Sequence, residues 1–253
     1  MPDTPRWRRA SAVFALVVPL AGCGDPGPVT LQVLAASSLA EVVAELGDAY
    51  RHSHPRVRVE TETGGSQEMA DRVSDLRPGD VLVTADEAAM NEVDEHLTGR
   101  RRIVAHNSLT IAVAPGNPRG LRGLADLTRP GLRITVGASV VPVGRYARHV
   151  FAKAGLNVRW TGEAISARAV LDRVRSGQAD AGLVYITDMR SAGVAADSVP
   201  IPADQNVTVN YPAAAVKDGE HREEAEAFVA WLASAEAGRL FHKHGFAAPT
   251  TSQ

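Results

Sequence analysis

Between residues 31 and 115, short apolar runs alternate with stretches whose apolar positions recur at helical spacing. LQVLAA (31–36) predicts a strand. Leu39, Val42, Val43 and Leu46 then follow at i, i+3, i+4 and i+7, the buried face of a helix over 38–53. VRVETET (57–63) alternates as a half-buried strand does, and SQEMADRVSDL (66–76) predicts a helix. DVLVTA (80–85) predicts an apolar strand and EAAMNEVDEHL (87–97) a helix. SLTIAVAP (108–115) predicts a long apolar strand, stopped by Gly116-Asn117-Pro118. Such alternation builds a parallel sheet whose ligand edge lies at the strand C-termini.

A second series follows. GLRGLADL (120–127) predicts a short helix and RITVGA (133–138) a strand. PVGRYARHVFAKAGL (142–156) reads as a helix with Pro142 in its first turn. ISARAVLDRVRSGQ (165–178) reads as another helix and DAGLVY (180–185) as a strand. SVPIPAD (198–204) reads as a strand running into a loop, and YPAAAV (211–216) as a returning strand before one last helix over 223–245. Two series joined by two apolar crossings predict two lobes facing a cleft, about 29–109 with 212–253, and 110–211. No internal repeat is visible.

The 253 residues suffice for two cores, and a formal charge of −2 argues against a nucleic-acid partner. The one dense basic run, Arg100-Arg101-Arg102, follows Gly99, lacks interleaved aromatics and reads as a solvated loop. The N-terminus is a different kind of segment. Arg6, Arg8 and Arg9 precede ASAVFALVVPLAG, which is too short to span a membrane as a mature helix. It ends in Leu20-Ala21-Gly22-Cys23, which resembles a bacterial lipobox. Residues 1–22 are therefore expected to be a lipoprotein signal peptide, with Cys23 the lipidated first mature residue and 23–30 a tether. Cys23 is the only cysteine, so no disulfide forms within one chain. Export by the general secretory or the twin-arginine route stays open.

Chemistry concentrates where strands hand over to helices. Ser37 and Ser38 sit at the first such junction, Ser66 follows Gly64-Gly65 at the second, Val143-Gly144 opens the third helix and Ser166-Ala167 the fourth. Helix N-termini carry unpaired N–H groups and the positive end of the dipole, so each favours an anion. Each serine is also a candidate N-cap. Two such ends per lobe would make a nest of neutral donors. Arg145 and Arg168 lie beside these donors in sequence. Glu68 reads as a first-turn dipole partner.

AASSLAEVV, the Gly-Gly-Ser segment, DVLVTAD, NSLTIAVAP, VPVGRYA, GQADAGLVYITD, YPAAAV and FHKHGF together resemble the periplasmic molybdate-binding proteins of bacterial ABC importers. The resemblance spans nearly the whole mature chain. It implies an α/β, two-lobed type II periplasmic-binding-protein fold, each lobe a mostly parallel sheet flanked by helices. It implies a monomeric, extracytoplasmic receptor that closes on molybdate or tungstate, needs no cofactor and delivers to a permease with a separate ATPase subunit. Carried over by position, the side-chain ligands are Ser38, Ser66 and Tyr185, and the backbone donors Val143 and Ala167. The family commonly has Ala where Val143 stands and a valine-like residue where Ala167 stands, which bears on cavity shape. Ser37 is left as the structural neighbour of Ser38, and because the family builds its pocket from neutral donors, the resemblance implies that Arg145 and Arg168 stand outward or behind it.

Other chemistry fits less well. Molybdate and sulfate are fully deprotonated at neutral pH and want donors alone, whereas monohydrogen phosphate would use an acidic acceptor. Sulfate or another oxyanion thus remains the near alternative and an oxyanion-processing enzyme the distant one. Ser66 in GGSQE misses G-x-S-x-G, because Glu68 occupies the last glycine's place. The histidines (His52, His54, His96, His242, His244) match no H-E-x-x-H or spaced zinc site, and no direct cation ligand is assigned. There is no phosphate-binding G-x-x-x-x-G-K-[ST] motif.

Overall fold

A computed structural model describes residues 27–76, 78–247 and 249. The expected signal segment and Cys23 lie outside the described residues. Val29 and Thr30, counted above with the tether, are the first residues of a strand.

The first half runs β1 (Val29–Ala36), a 3-10 turn (Ser37–Leu39), α1 (Ala40–Ser53), β2 (Val57–Gly64), α2 (Ser66–Ser74), β3 (Val81–Val83), α3 (Glu87–Asn91) and β4 (Leu97–Asn107). The second half runs β5 (Leu109–Val113), β6 (Ile134–Gly137), α4 (Pro142–Lys153), β7 (Gly162–Ala164), α5 (Ala167–Arg175), β8 (Ala181–Tyr185), α6 (Ile186–Ala192) and β9 (Asp197–Pro200). The chain then returns through β10 (Val209–Val216), α7 (Arg222–Leu232) and α8 (Ala235–Lys243).

Two five-stranded sheets result, ordered β2-β1-β3-β10-β4 and β7-β6-β8-β5-β9. In the first, β1 pairs in parallel with β2 and β3, and β10 runs antiparallel to both β3 and β4. In the second, β6 pairs in parallel with β7 and β8, and β5 runs antiparallel to β8 and β9. In each sheet four strands share one direction and only the fourth position is reversed. The two halves are thus one topology used twice, β1-α1-β2-α2-β3 matching β6-α4-β7-α5-β8. The sequence shows no such repeat, because the match is in strand order and not in side chains.

The central strands read as continuous apolar runs because both their faces are covered. Leu31, Val33 and Ala35 pack into a core with Leu39, Val42, Leu46 and Tyr50, while Leu34 faces the other way with Met69, Val73 and Met90. In the second sheet Ile134 and Val136 share the larger core with Val150 and Phe151, and Val184 packs with Val170, Leu171 and Val174 on the opposite face. Each such side chain contributes roughly 1.5–3 kcal/mol by leaving water.

Several expectations need correction. Arg100-Arg101-Arg102 is no loop but part of β4, the edge strand of its sheet. Charged side chains on an edge discourage further strand pairing, and Arg101 is held by Asn91 and by Asp94 at 2.6 Å. The helix expected over 87–97 shrinks to five residues and a 3-10 turn. The last helix breaks in two at Ala233-Ser234, where Ser234 caps α8 by accepting from the Ala237 N–H. β7 and α6 were not expected at all.

Matching aspartates pin the two sheets. Asp80, before β3, accepts from the N–H groups of Gln32 at 2.8 Å and His221 at 3.0 Å. Asp180, before β8, accepts from the Arg133 N–H at 2.8 Å and its guanidinium at 2.9 Å, with Arg119 at 3.2 Å. Hydrogen bonds from Arg133 hold the Asp180 carboxyl down at about 2, against the opposing effect of burial. An unfolded aspartate titrates near 4, so the stabilisation is complete above that pH and is lost as pH falls toward 2. Asp180→Asn should therefore cost about 2 kcal/mol in denaturant unfolding at pH 7, and the gap to the parent should shrink as the pH is lowered from 4 toward 2.

Candidate functional site

The shared topology sends the C-terminal ends of the parallel strands, and the helix N-termini after them, into the space between the sheets. Ala36-Ser37-Ser38 leave β1, Gly65-Ser66 open α2 and Ala85 follows β3. From the other half Val141-Pro142-Val143 open α4, Ile165-Ser166-Ala167 open α5 and Tyr185 ends β8. Together they line one cavity of about 20 Å³. The structure therefore brings Ser38, Ser66, Val143, Ala167 and Tyr185 to one place, and Ser37 and Ser166 with them. Pockets for organic ligands run to about 300–1,000 Å³, whereas a single water needs about 10–15 Å³. Only a compact group fits.

Close approach of backbones makes the cavity small. A Cβ on Gly144 would overlap the carbonyl oxygens of Gly137 and Ala138, so only glycine lets the first turn of α4 sit against the end of β6. Across the cleft, a Cβ on Gly65 would stand 3.3 Å from the Ile165 carbonyl oxygen. The Gly144 N–H is taken by the Val141 carbonyl at 3.0 Å and the Ala169 N–H by Ser166 Oγ, while the N–H groups at the very start of a helix have no carbonyl one turn back, and each helix end carries about half a positive charge.

The hydroxyls are oriented by what they accept. Ser66 is buried and its Oγ accepts from the Ala85 N–H at 2.9 Å, so its own proton is free for the cavity. Ser38 Oγ lies 3.0 Å from Tyr211 Oη, which in turn accepts from Asn107 Nδ2 at 3.3 Å. Either hydroxyl can donate in that contact; where Tyr211 donates, the Ser38 proton is left for the cavity. Neither Ser38 nor Ser66 caps its helix through its side chain, whereas Ser166 does, accepting from the Ala169 N–H at 3.1 Å. Tyr185 is 2% exposed, and its Oη has no hydrogen-bond partner among the described residues. Burial pushes the Tyr185 hydroxyl well above its ordinary pKa, so it remains a donor at neutral pH.

Among the described residues, no ionisable side chain other than the tyrosine lines the cavity. Glu163 is engaged by Arg148 at 2.6 Å, and Glu68 sits in the first turn of α2. Arg145 bonds Asp86 at 2.7 Å. Asn107, Tyr211 and Asp86 escaped sequence reasoning, because each acts on a partner 59 to 173 residues away and no local spacing marks it.

Residues 31–247 match the family model described as bacterial extracellular solute-binding protein. This chain belongs to that family. A molybdate-binding protein ModA of Mycobacterium bovis is 33% identical over 92% of this chain and 95% of its own length. Among solved structures, the periplasmic molybdate-binding protein of Azotobacter vinelandii superposes with a TM-score of 0.72 at 22% identity, covering 87% of this chain and all of that one. The sulfate-binding protein SubI of Mycobacterium tuberculosis gives 0.78 at 19% identity, covering 88% of each chain. Both structures share the fold of this solute-binding protein.

A second small polar cavity adjoins the first, also lined by Ser37 and Ser38 and completed by Glu41, Val42, Arg168, Thr187, Asp188, His244 and Phe246. His244 is occupied by Glu45 at 2.7 Å. Asp188 is buried and accepts from the Tyr185 N–H at 2.9 Å. Burial lifts its carboxyl to about 7, although that hydrogen bond and Arg168 oppose the rise. Between pH 4 and 7 the folded protein therefore binds more protons at this site than the unfolded chain, and stability falls as pH rises through that window. Asp188→Asn keeps an acceptor for Tyr185 and removes the titration. Its melting temperature should exceed the parent's at pH 8, by the equivalent of about 4 kcal/mol at most, and converge with it near pH 4.

Proposed function

We propose that this solute-binding protein is an extracytoplasmic receptor for molybdate, and for tungstate, delivering its ligand to an ABC permease driven by a separate ATPase subunit. It binds rather than transforms its ligand. The observation that carries the reading is the buried Tyr185 hydroxyl, a donor without an acceptor in a cavity lined by donors. A buried polar group left unmade costs about 1–3 kcal/mol, which an acceptor entering the cavity would return. A tetrahedral dianion supplies acceptors on every side. In this reading Ser38, Ser66 and Tyr185 donate through hydroxyls, and Val143 and Ala167 through amides. The absence of a lining carboxylate disfavours monohydrogen phosphate, which carries a proton to give. The Mycobacterium bovis relative supports molybdate over the other dianions.

The lobes fall near 29–109 with 212–253, and 110–211, and the monomer closes by hinging at the two crossings. Lipid on Cys23 would hold it to the outer face of the cytoplasmic membrane. Cys23→Ser should then be released without lipid or left uncleaved; normal membrane retention and processing of that variant would remove the anchor from the proposal.

Titration calorimetry with molybdate, tungstate, sulfate and phosphate tests the ligand. Molybdate and tungstate should bind alike and sulfate much more weakly; equal affinity for sulfate would reassign the receptor. Charge-assisted hydrogen bonds are worth about 1.5–3 kcal/mol, so Ser38→Ala, Ser66→Ala and Tyr185→Phe should each weaken binding about 10- to 150-fold. Ser37→Ala should do far less. The ligand-free melts should separate these variants. Ser66→Ala strands the Ala85 N–H and should lose about 1–3 kcal/mol, while Tyr185→Phe removes an unpaired hydroxyl and should melt no lower than the parent.

A further inference from the structure

Asp86 belongs to the half built on β1 and Arg145 to the half built on β6, yet they form a close charged contact that joins the two. Arg145 Nε donates to Asp86 Oδ2 at 2.7 Å, and Nη2 lies 2.6 Å from the same oxygen. The carboxylate side chain is 6% exposed and the guanidinium 23%. Each is tied to its own half by a further bond: Asp86 Oδ1 accepts from the Ala89 N–H at 2.9 Å, and Arg145 Nη1 donates to the Val140 carbonyl at 2.5 Å. Both flank the donor cavity. Asp86 follows Ala85, whose N–H orients Ser66, and Arg145 lies two residues beyond Val143.

We propose that Asp86 and Arg145 form a charge clasp that locks the two halves over a bound dianion and sets its rate of release. The proposal rests on the oxyanion reading of the cavity. Without Arg145, a buried carboxylate would face the dianion and repel it at low effective dielectric. Arg145 comes from the opposite half, so that repulsion is cancelled only when the halves meet. Closure and anion occupancy thereby favour each other, although neither residue touches the ligand. The neighbouring groups support this division of labour. Glu87 is engaged by the Asn210 side chain at 3.0 Å, and the Tyr146 hydroxyl receives the Asn210 backbone N–H, leaving Arg145 to neutralise Asp86.

The test is the release of radiolabelled molybdate into excess unlabelled anion, measured for the parent, Asp86→Asn, Arg145→Gln and the double variant, with association rates measured in parallel. Asparagine still accepts from the Ala89 N–H, since it caps helices as well as aspartate does, so Asp86→Asn removes charge and leaves α3 in place. Asp86→Asn should release the anion about tenfold faster, the equivalent of about 1.4 kcal/mol. Arg145→Gln should release it faster still, because it leaves Asp86 bare beside the dianion. The double variant should resemble Asp86→Asn and not the product of the two effects. Association should change by less than about threefold. Release of both single variants within twofold of the parent, or multiplicative effects in the double variant, would overturn the clasp while leaving the receptor reading intact. A parent that binds none of the four oxyanions would overturn the receptor reading and the clasp with it.

Discussion

Between the two sheets, serine and tyrosine hydroxyls and the starts of helices face one cavity, and much of the fold serves to hold them there. A serine hydroxyl left to itself would turn its proton to the nearest carbonyl. Here the lone pair of Ser66 is taken by the Ala85 N–H, and Ser38 is held by the Tyr211 hydroxyl at 3.0 Å. Ser66 is thus satisfied from behind, which leaves its proton in front. Tyr185 carries the same principle to its limit, with a buried hydroxyl that nothing in the described structure accepts.

Repetition of one topology makes such a cavity available from short segments. Each β-α-β-α-β unit ends three parallel strands on one edge and starts two helices there. Facing two units across a cleft brings four helix starts together, with no need for a cation to hold the anion. The stabilising terms lie elsewhere: in the two-faced apolar cores, and in Asp80 and Asp180, which fix the strand neighbours at the far end of each sheet. Stability is thus separated in space from the hydrogen-bond donors of the cleft.

Much of this was legible in the sequence because it is local. Apolar spacing marks α1, α2, α4 and α5, and a serine or a Pro-Val-Gly run marks where each begins. That marks the junctions at Ser37-Ser38, Ser66, Val143 and Ser166-Ala167, whereas Tyr185 and the choice of Ser38 over Ser37 come from the resemblance to molybdate-binding proteins. The geometry also limits the capping alternative: Ser166 caps α5, while Ser38 and Ser66 are drawn away by partners on other elements. What could not be read is non-local or solvent-facing. β4 runs LTGRRRIVAHN, an edge strand whose three arginines, one exposed and two half-buried, break any apolar alternation. The turn at Ala233-Ser234 interrupts an alanine-rich segment that would suit a helix throughout, and only the capping geometry of Ser234 reveals the break. Asn107, Tyr211, Asp86 and Arg145 meet across long stretches of chain, so their pairing appears only once the sheets are assembled.

Neutral donors also bear on selectivity. A guanidinium attracts any anion over a distance set by screening, about 8 Å at physiological ionic strength, and so discriminates poorly by shape. Hydroxyl and amide donors weaken steeply when distance or angle departs from the optimum. With Arg145 committed to Asp86, the short-range donors are what an entering anion meets in the cavity. Their positions are set by backbone: Gly144 against Gly137 and Ala138 in one half, Gly65 against Ile165 across the cleft. An anion with oxygens closer to its centre could not satisfy donors from both halves without pulling them nearer, and the Gly65–Ile165 approach leaves little room for that. Discrimination between oxyanions of equal charge then follows from how far the two backbones can close, and release follows from parting them, which breaks the contacts of one half together.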